Sequence, residues 1–189
     1  MDFRTDRLGL LLDQHATSCD IARARLEGLT DEEYLWEPAP GCWSIRRTGE
    51  TNTATAHGAG EWVLDFTRPE PQPPPFTTIA WRLGHLYSGF SLRWEWAFGG
   101  RKKLADAIEL TPSADQALNR FWKLMDQWRA SLAAMTDEQL DMVGFSQYPY
   151  GLDPQLPFIA TVWWTNRELI LHTAEIALLR DLWTARREG

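Results

Sequence analysis

The sequence is poor in cysteine and has neither a long apolar run nor an excess of positive charge. Among its 189 residues are two cysteines, Cys19 and Cys42, which do not form a C-x-x-C pair. This pattern excludes a disulfide framework and a cysteine-based zinc motif. No apolar run approaches the length of a membrane span, and residues 1–6 lack the basic-then-apolar order of a signal peptide. We therefore expect a cytoplasmic protein whose two thiols are reduced and unpaired.

Acidic side chains outnumber basic ones, with 26 Asp and Glu against 19 Lys and Arg, and the formal net charge is −7. Proteins that bind nucleic acid or an anionic membrane usually present a basic patch. The charge balance therefore argues against nucleic acid and against a membrane as the main partner, and a small-molecule substrate is the partner that we expect.

The length fits one domain that spans residues 1–189 and is sufficient for a sizeable core. Hydrophobic residues make up 44% and charged residues 24%, which are ordinary values for a globular protein. Eleven tryptophans are not ordinary. Such large rings suit the seams between helices and the walls of a ligand pocket. We interpret most of them as core residues.

Apolar residues recur with the helical period in four segments, which predicts four long helices. They cover approximately residues 5–27, 77–98, 113–135 and 160–188. Threonine or serine stands at the start of the second and third segments as a predicted N-cap, and glycine follows the first and second segments. No segment has a strand pattern. We therefore predict an all-α four-helix bundle.

Two long irregular connections, residues 37–76 and 141–158, interrupt this helical pattern. Proline and glycine crowd the first connection and exclude regular helix there. Long irregular segments inside a compact domain are uncommon and tend to be functional. The first connection contains His57. We favour a solvent-exposed histidine at this position, and a place on the approach to a ligand is the alternative.

One ionisable pair lies within the apolar stripe of the last helix. Glu168 and His172 are four residues apart, so both side chains lie on one face of the helix. Taken alone, this spacing favours an ordinary intrahelical hydrogen bond or salt bridge. The alternative is a pair of metal ligands that point into a bundle core and take a third ligand from another helix.

His85, in the second predicted helix, would supply that third ligand if the two helices face each other. Together with Glu168 and His172 it would form a set of two imidazoles and one carboxylate. Three protein ligands with open positions are typical of a catalytic divalent metal rather than a closed structural site. Zinc, nickel, iron(II) and manganese are all compatible with these nitrogen and oxygen donors.

The motifs around these residues resemble the DinB-like four-helix bundle proteins. TTIAWRLGHL at residues 77–86 resembles the second-helix signature of that family, and NRELILHTAEIALLRDL at residues 166–182 resembles its fourth-helix signature. Residues 29–33, 36–38 and 41–44 resemble its first connection. The resemblance spans nearly the whole chain and implies an up-down-down-up bundle that holds a divalent metal with three histidines.

In this resemblance His85 and His172 match two of the three histidines of the family, and Glu168 replaces the third. The carboxylate keeps a ligand but adds a negative charge. The implied metal is zinc or nickel, with iron or manganese also compatible. Characterised relatives include S-transferases and isomerases that use low-molecular-weight thiols such as mycothiol or bacillithiol. The resemblance therefore implies a metal-dependent enzyme whose metal stabilises a thiolate.

We expect several further side chains to line the approach and the pocket walls: Arg82, Asn166, His57, Trp81 and Trp164, with Trp163 as an alternative to Trp164. The competing hypothesis is a non-catalytic bundle that binds a small molecule or a partner protein, because a shared fold alone does not establish a shared activity. We also predict a homodimer, since bundles of this family often pair and the tryptophans leave apolar surface for an isologous contact.

Overall fold

The protein is mostly helical in a computed structural model that describes residues 6–101, 107–145 and 155–188. Four long helices lie within a few residues of their predicted positions, and one short helix follows the first of them. The α-helices are α1 (Arg7–Leu26), α2 (Asp31–Tyr34), α3 (Ile79–Ala97), α4 (Ala114–Ala133) and α5 (Phe158–Glu188). A 3-10 helix, Asp137–Asp141, follows α4.

The four long helices enclose one apolar core. Helix α1 packs against α4 and α5, and α3 packs against the same two helices. Aromatic rings fill the space between them: Phe90, Trp128 and Phe158 are almost completely buried, and Phe90 meets Trp128 edge to face with ring centroids 5.5 Å apart. Such pairs contribute about 1 kcal/mol beyond the burial of their surface. The core therefore fixes α3 and α5 beside each other, and this positions the polar side chains between them.

The connection over residues 37–76 contains a small antiparallel sheet, so the prediction of a chain without strands is wrong here. Its strands are β1 (Ile45–Arg47), β2 (Thr55–His57) and β3 (Trp62–Phe66), in the order β1-β3-β2. Three of the five residues of β3 are buried in succession, and β1 and β2 have only three residues each. The strands are therefore too short, and β3 is too continuously buried, to show an alternation of polar and apolar residues in the sequence.

The sheet is attached to the N-terminal end of α3. The Trp81 indole N–H donates to the backbone oxygen of Asp65 at 2.8 Å, and the Thr78 hydroxyl lies 3.0 Å from the hydroxyl of Ser44. Thr78 is also the predicted N-cap, because its hydroxyl accepts from the N–H of Trp81 at 3.1 Å. The residues that begin α3 therefore also hold the sheet against it.

The second predicted connection is only partly within the described residues, since residues 146–154 lie outside them. Val143, before these residues, forms an isolated antiparallel bridge with Pro157, which follows them. Cys19 on α1 and Cys42 before β1 are both buried free thiols. In the part of the chain that the structure describes, no helix combines the length and the apolar character that crossing a membrane requires.

Candidate metal centre

Three potential metal donors meet where α3 packs against α5. His85 Nε2 lies 3.4 Å from Glu168 Oε2, and His172 Nε2 lies 3.3 Å from the same oxygen. Donor atoms of the three side chains all lie within 4.8 Å of one another. Glu168 and His172 come from successive turns of α5, and His85 comes from the facing side of α3. The packing of the two helices therefore brings the three residues together.

The spacing and chemistry of these donors fit one divalent ion. Two ligands that each lie about 2.1 Å from a tetrahedral zinc are separated by about 3.4 Å. The two nitrogen-to-oxygen distances, 3.3 and 3.4 Å, match that separation. Imidazole and carboxylate donors suit zinc, nickel, iron(II) and manganese. Two imidazoles and one carboxylate leave coordination positions for water or a substrate.

The neighbours of the two histidines orient their rings. His172 Nδ1 lies 2.5 Å from Glu175 Oε2, and Glu175 in turn forms an ion pair with Arg82 at 3.1 Å. With its Nδ1 proton donated to Glu175, His172 presents Nε2 to Glu168. This is the carboxylate–histidine arrangement that commonly supports a metal ligand. The ring of His85 stacks on Trp81 with an interplanar angle of 6° and a centroid distance of 5.1 Å.

The charges of the three residues are set by their mutual contacts. Burial opposes the ionisation of Glu168, but hydrogen bonds from His172, His85 and Arg167 outweigh it and hold the pKa of Glu168 well below its ordinary value. Burial favours neutral His172, but its hydrogen bonds to Glu168 and Glu175 raise the pKa of His172. Burial lowers the pKa of His85 and outweighs its hydrogen bond to Glu168, which acts in the opposite direction, while the nearby charges of His172 and Arg82 lower the pKa further. The cluster therefore holds an anionic carboxylate beside a neutral His85.

A cavity of about 180 Å³ opens beside His85. It lies between α3, α5 and the small sheet, and its lining includes His57, Phe66, Arg68, His85, Arg93 and Trp164. A larger cleft of about 460 Å³ lies between α3 and α4, but its described lining includes none of the three donors. Of the three donors, His85 lines the smaller cavity, which therefore adjoins the cluster on its His85 side.

Residues 14–176 match the sequence model of the DinB superfamily. The chain belongs to the DinB superfamily. The matched region includes all of α3 and the part of α5 that carries Glu168 and His172. No curated protein and no solved structure matches the chain. Membership of the DinB superfamily therefore stands on the sequence match and on the mostly helical fold.

The prediction that Asn166 lines the approach to the metal is wrong for this DinB-superfamily chain. Asn166 is completely buried, and its side-chain amide donates to the backbone oxygen of Leu11 at 2.9 Å and to Gln14 Oε1 at 3.0 Å. Asn166 and Glu168 are two residues apart on a helix, so their side chains differ in direction by about 200° around the helix axis. Asn166 therefore faces α1, whereas Glu168 faces α3.

The other predicted pocket residues lie close to the donors. Trp81 stacks on His85, and Arg82 lies beside Glu175. His57 is half-buried on β2 rather than exposed, and its ring lies 4.1 Å from that of Phe66. Trp164 lines the cavity, whereas its alternative, Trp163, is 55% exposed.

Four residues around the centre were not among the predicted site residues: Glu175, Phe66, Arg68 and Arg93. Glu175 follows His172 by three residues, and this helical spacing predicts a contact between the two side chains. Phe66, Arg68 and Arg93 had no such signal. Phe66 and Arg68 reach the cavity only because the sheet packs against α3, and Arg93 is two turns of α3 beyond His85.

Proposed function

We propose that His85, Glu168 and His172 bind one divalent metal ion and that the protein is a metal-dependent enzyme acting on a small molecule. The observation that carries this proposal is the convergence of two imidazole nitrogens and a carboxylate oxygen, one of whose residues, His85, also lines an adjacent cavity. A structural site needs no access from solvent, whereas a catalytic site needs an open position for its substrate. Helices in the up-down-down-up order of a four-helix bundle would provide the scaffold.

A bound metal would supply Lewis acidity and would lower the pKa of a coordinated thiol or water. We propose a low-molecular-weight thiol as co-substrate and an S-transferase or isomerase reaction. The residues of this chain would have separate tasks. His85, Glu168 and His172 would hold the ion, Trp81 and Glu175 would fix the two imidazole rings, and the cavity would admit the substrate. Zinc or nickel fits best, with iron or manganese as alternatives.

Elemental analysis of protein purified without a metal-affinity tag tests this proposal. We expect one metal ion per chain, and we expect it to be lost from the Glu168→Ala, His172→Ala double variant. Adding zinc or nickel to chelator-treated protein should raise its melting temperature, because the ion binds the native state and not the unfolded chain. His85→Ala should abolish that rise, while His15→Ala should retain it. No bound metal and no rise in melting temperature would overturn the proposal.

The second candidate is a non-catalytic protein that binds a small molecule. One observation favours it: Glu168 already has three hydrogen-bonding partners, because Arg167 reaches its second oxygen at 2.8 Å while His85 and His172 share the first. The cluster is thus satisfied as a network of charges and hydrogen bonds. Elemental analysis decides between the candidates, since this second one requires no metal.

We also propose that two copies of the chain associate through α5. Its outer face carries an exposed apolar stripe formed by Trp163, Ile170, Leu171, Leu178 and Leu182. Ala174 lies at the middle of this α5 stripe and is exposed as well. Because alanine is small, a second α5 helix crossing at this point could approach closely. A two-fold axis there would cover both stripes with one isologous contact.

A further inference from the structure

The two oxygens of the Glu168 carboxylate have different surroundings. Oε2 lies 3.4 Å from His85 Nε2 and 3.3 Å from His172 Nε2, so it faces the proposed metal position. Oε1 accepts a hydrogen bond from Arg167 Nη2 at 2.8 Å. The Glu168 side chain is only 14% exposed, which leaves it little room to turn away from these partners. One oxygen is therefore directed at the other donors, and the second is held by a cation.

Two tryptophans hold Arg167 beside this carboxylate. Its guanidinium carbon lies 5.3 Å from the centre of the Trp163 ring and 5.9 Å from the centre of the Trp164 ring. Cation–π contacts of this length restrict a long side chain, which reduces the entropy lost when it forms a further contact. The hydrogen bond from Arg167 to Oε1 is therefore formed by a side chain that is already held in place.

This hydrogen bond limits how Glu168 can bind a metal ion. A carboxylate can bind through one oxygen or through both. Binding through both would place the ion about 2.2 Å from Oε1. The ion would then lie close to the guanidinium group of Arg167, whose Nη2 is 2.8 Å from that oxygen. Like charges at such short range repel each other, and the hydrogen bond would have to break. Arg167 therefore favours coordination through Oε2 alone.

We propose that Arg167 restricts Glu168 to one coordinating oxygen and thereby sets which metal ion the centre prefers. Four ligands satisfy zinc, and His85, His172 and Oε2 of Glu168 supply three of them, which leaves one position for water or substrate. Manganese takes more ligands and prefers oxygen, so it would gain most from the second carboxylate oxygen. Sites with nitrogen and oxygen donors already bind zinc more tightly than manganese, and Arg167 would widen that difference.

This inference rests on the proposed function, because it requires that the centre binds a metal ion. Arg167 acts on that ion only through Glu168, so it is a positioning residue. Its effect should appear in the choice between metals and in the geometry of the bound ion.

The ratio of the manganese dissociation constant to the zinc dissociation constant tests the inference in the Arg167→Met variant. Methionine keeps an unbranched side chain beside the two tryptophans but cannot donate to Oε1. Loss of a positive charge near the site should raise the affinity for both ions alike, so this effect cancels in the ratio. We expect the ratio to fall by about tenfold or more, because manganese gains the second oxygen. Competition of each ion with one chromophoric chelator measures both constants.

Cobalt(II) gives a second measurement, because four-coordinate cobalt absorbs visible light much more strongly than cobalt with more ligands does. The unmodified protein loaded with cobalt should give the strong spectrum of a four-coordinate ion. Arg167→Met should give a weaker spectrum, since the second oxygen of Glu168 then joins the coordination sphere.

Arg186→Met is the matched control. The guanidinium of Arg186 also lies over two tryptophans, 3.9 Å from the centre of the Trp183 ring and 5.2 Å from that of Trp36, near the C-terminal end of α5. This variant should change neither the ratio nor the cobalt spectrum. An unchanged ratio or an unchanged spectrum in Arg167→Met overturns this inference alone, as does an equal fall of the ratio in Arg186→Met. If the unmodified protein binds none of the three ions, the proposed function is overturned, and this inference with it.

Discussion

At the scale of single residues, Glu175 is the group whose role is most open to measurement. Its carboxylate contacts Nδ1 of His172 and not the proposed metal position. Removing its charge should leave all three donors in place but release the ring of His172. We expect Glu175→Gln to weaken zinc binding about 10- to 100-fold, in the range seen for partners of metal ligands.

Competition with a chromophoric chelator measures this affinity. Glu27→Gln, which neutralises an exposed carboxylate at the end of α1, is the control and should bind zinc as the unmodified protein does. Equal zinc affinity in the Glu175 and Glu27 variants would mean that His172 needs no support from Glu175.

His15 should make the fold sensitive to acid. It is 1% exposed on α1, and burial lowers its pKa from 6.5 to about 4. The unfolded chain therefore binds a proton at a higher pH than the native protein does, so stability is full above pH 6.5 and falls as the pH drops towards 4. The difference between the two pKa values corresponds to about 3 kcal/mol.

Urea unfolding between pH 7.5 and 4 checks this expectation. His15→Met keeps an apolar side chain of similar size and removes the titration, so its stability should fall less steeply below pH 6.5. Above pH 7 the two proteins should show the same dependence on pH. Parallel curves over the whole range would contradict the assignment to His15.

Some residues of the candidate site could be predicted from the sequence and others could not. His85, Glu168 and His172 could be named in advance because their helical spacing and the family resemblance pointed to the same three positions. Asn166 is only two residues from Glu168 in the sequence, but the helical rotation between them turns its side chain towards α1. Arg93 could not be found, since nothing in the sequence tells which face of α3 meets the sheet.

At the scale of elements, the contact between α3 and the sheet should depend on Gly84. A Cβ at this position would lie 2.9 Å from Leu64 Cδ1 and 3.4 Å from Leu110 Cδ2. Gly89, on the same helix, has open space at the same point. We expect Gly89→Ala to stabilise the protein by about 0.5–1 kcal/mol through helix propensity. Gly84→Ala should lose that gain, because the side chain of Leu64 must move.

Denaturant unfolding of the two alanine variants side by side makes the comparison, and each serves as the control for the other. An equal gain in the free energy of unfolding for both variants would show that the side chains of the sheet move away from α3 without cost.

The elements themselves were predictable in proportion to their length. The four long helices each repeat the apolar period several times, and α1, α3 and α4 begin at a capping aspartate, threonine and serine, so their positions are visible in the sequence. The strands have three to five residues and lie among prolines and glycines. Their pairing depends on contacts with α3 that no local pattern contains.

At the scale of the whole molecule, the α5 stripe leads us to expect a dimer of about twice 21.7 kDa. Charges placed on the stripe should separate the copies, because a buried interface cannot accept an unpaired carboxylate without cost. The double variant Leu171→Glu, Leu178→Glu should therefore be monomeric. Light scattering at micromolar concentration measures both states.

Ile21→Glu provides the control, since Ile21 is 55% exposed on α1 and lies outside the stripe. It should leave the dimer intact. A single species of about 22 kDa for the unmodified protein would contradict the prediction of a dimer.

The sheet inserted between α2 and α3 has a consequence for how this protein could diverge. The proposed metal donors all come from the helices, whereas His57, Phe66 and Arg68 come from the connection that contains the sheet. The two sets of residues are thus encoded in separate stretches of the chain. Substitutions, insertions or deletions in the connection could alter which compound is accepted while the proposed metal site persists. Evolution could in this way change specificity and reactivity one at a time.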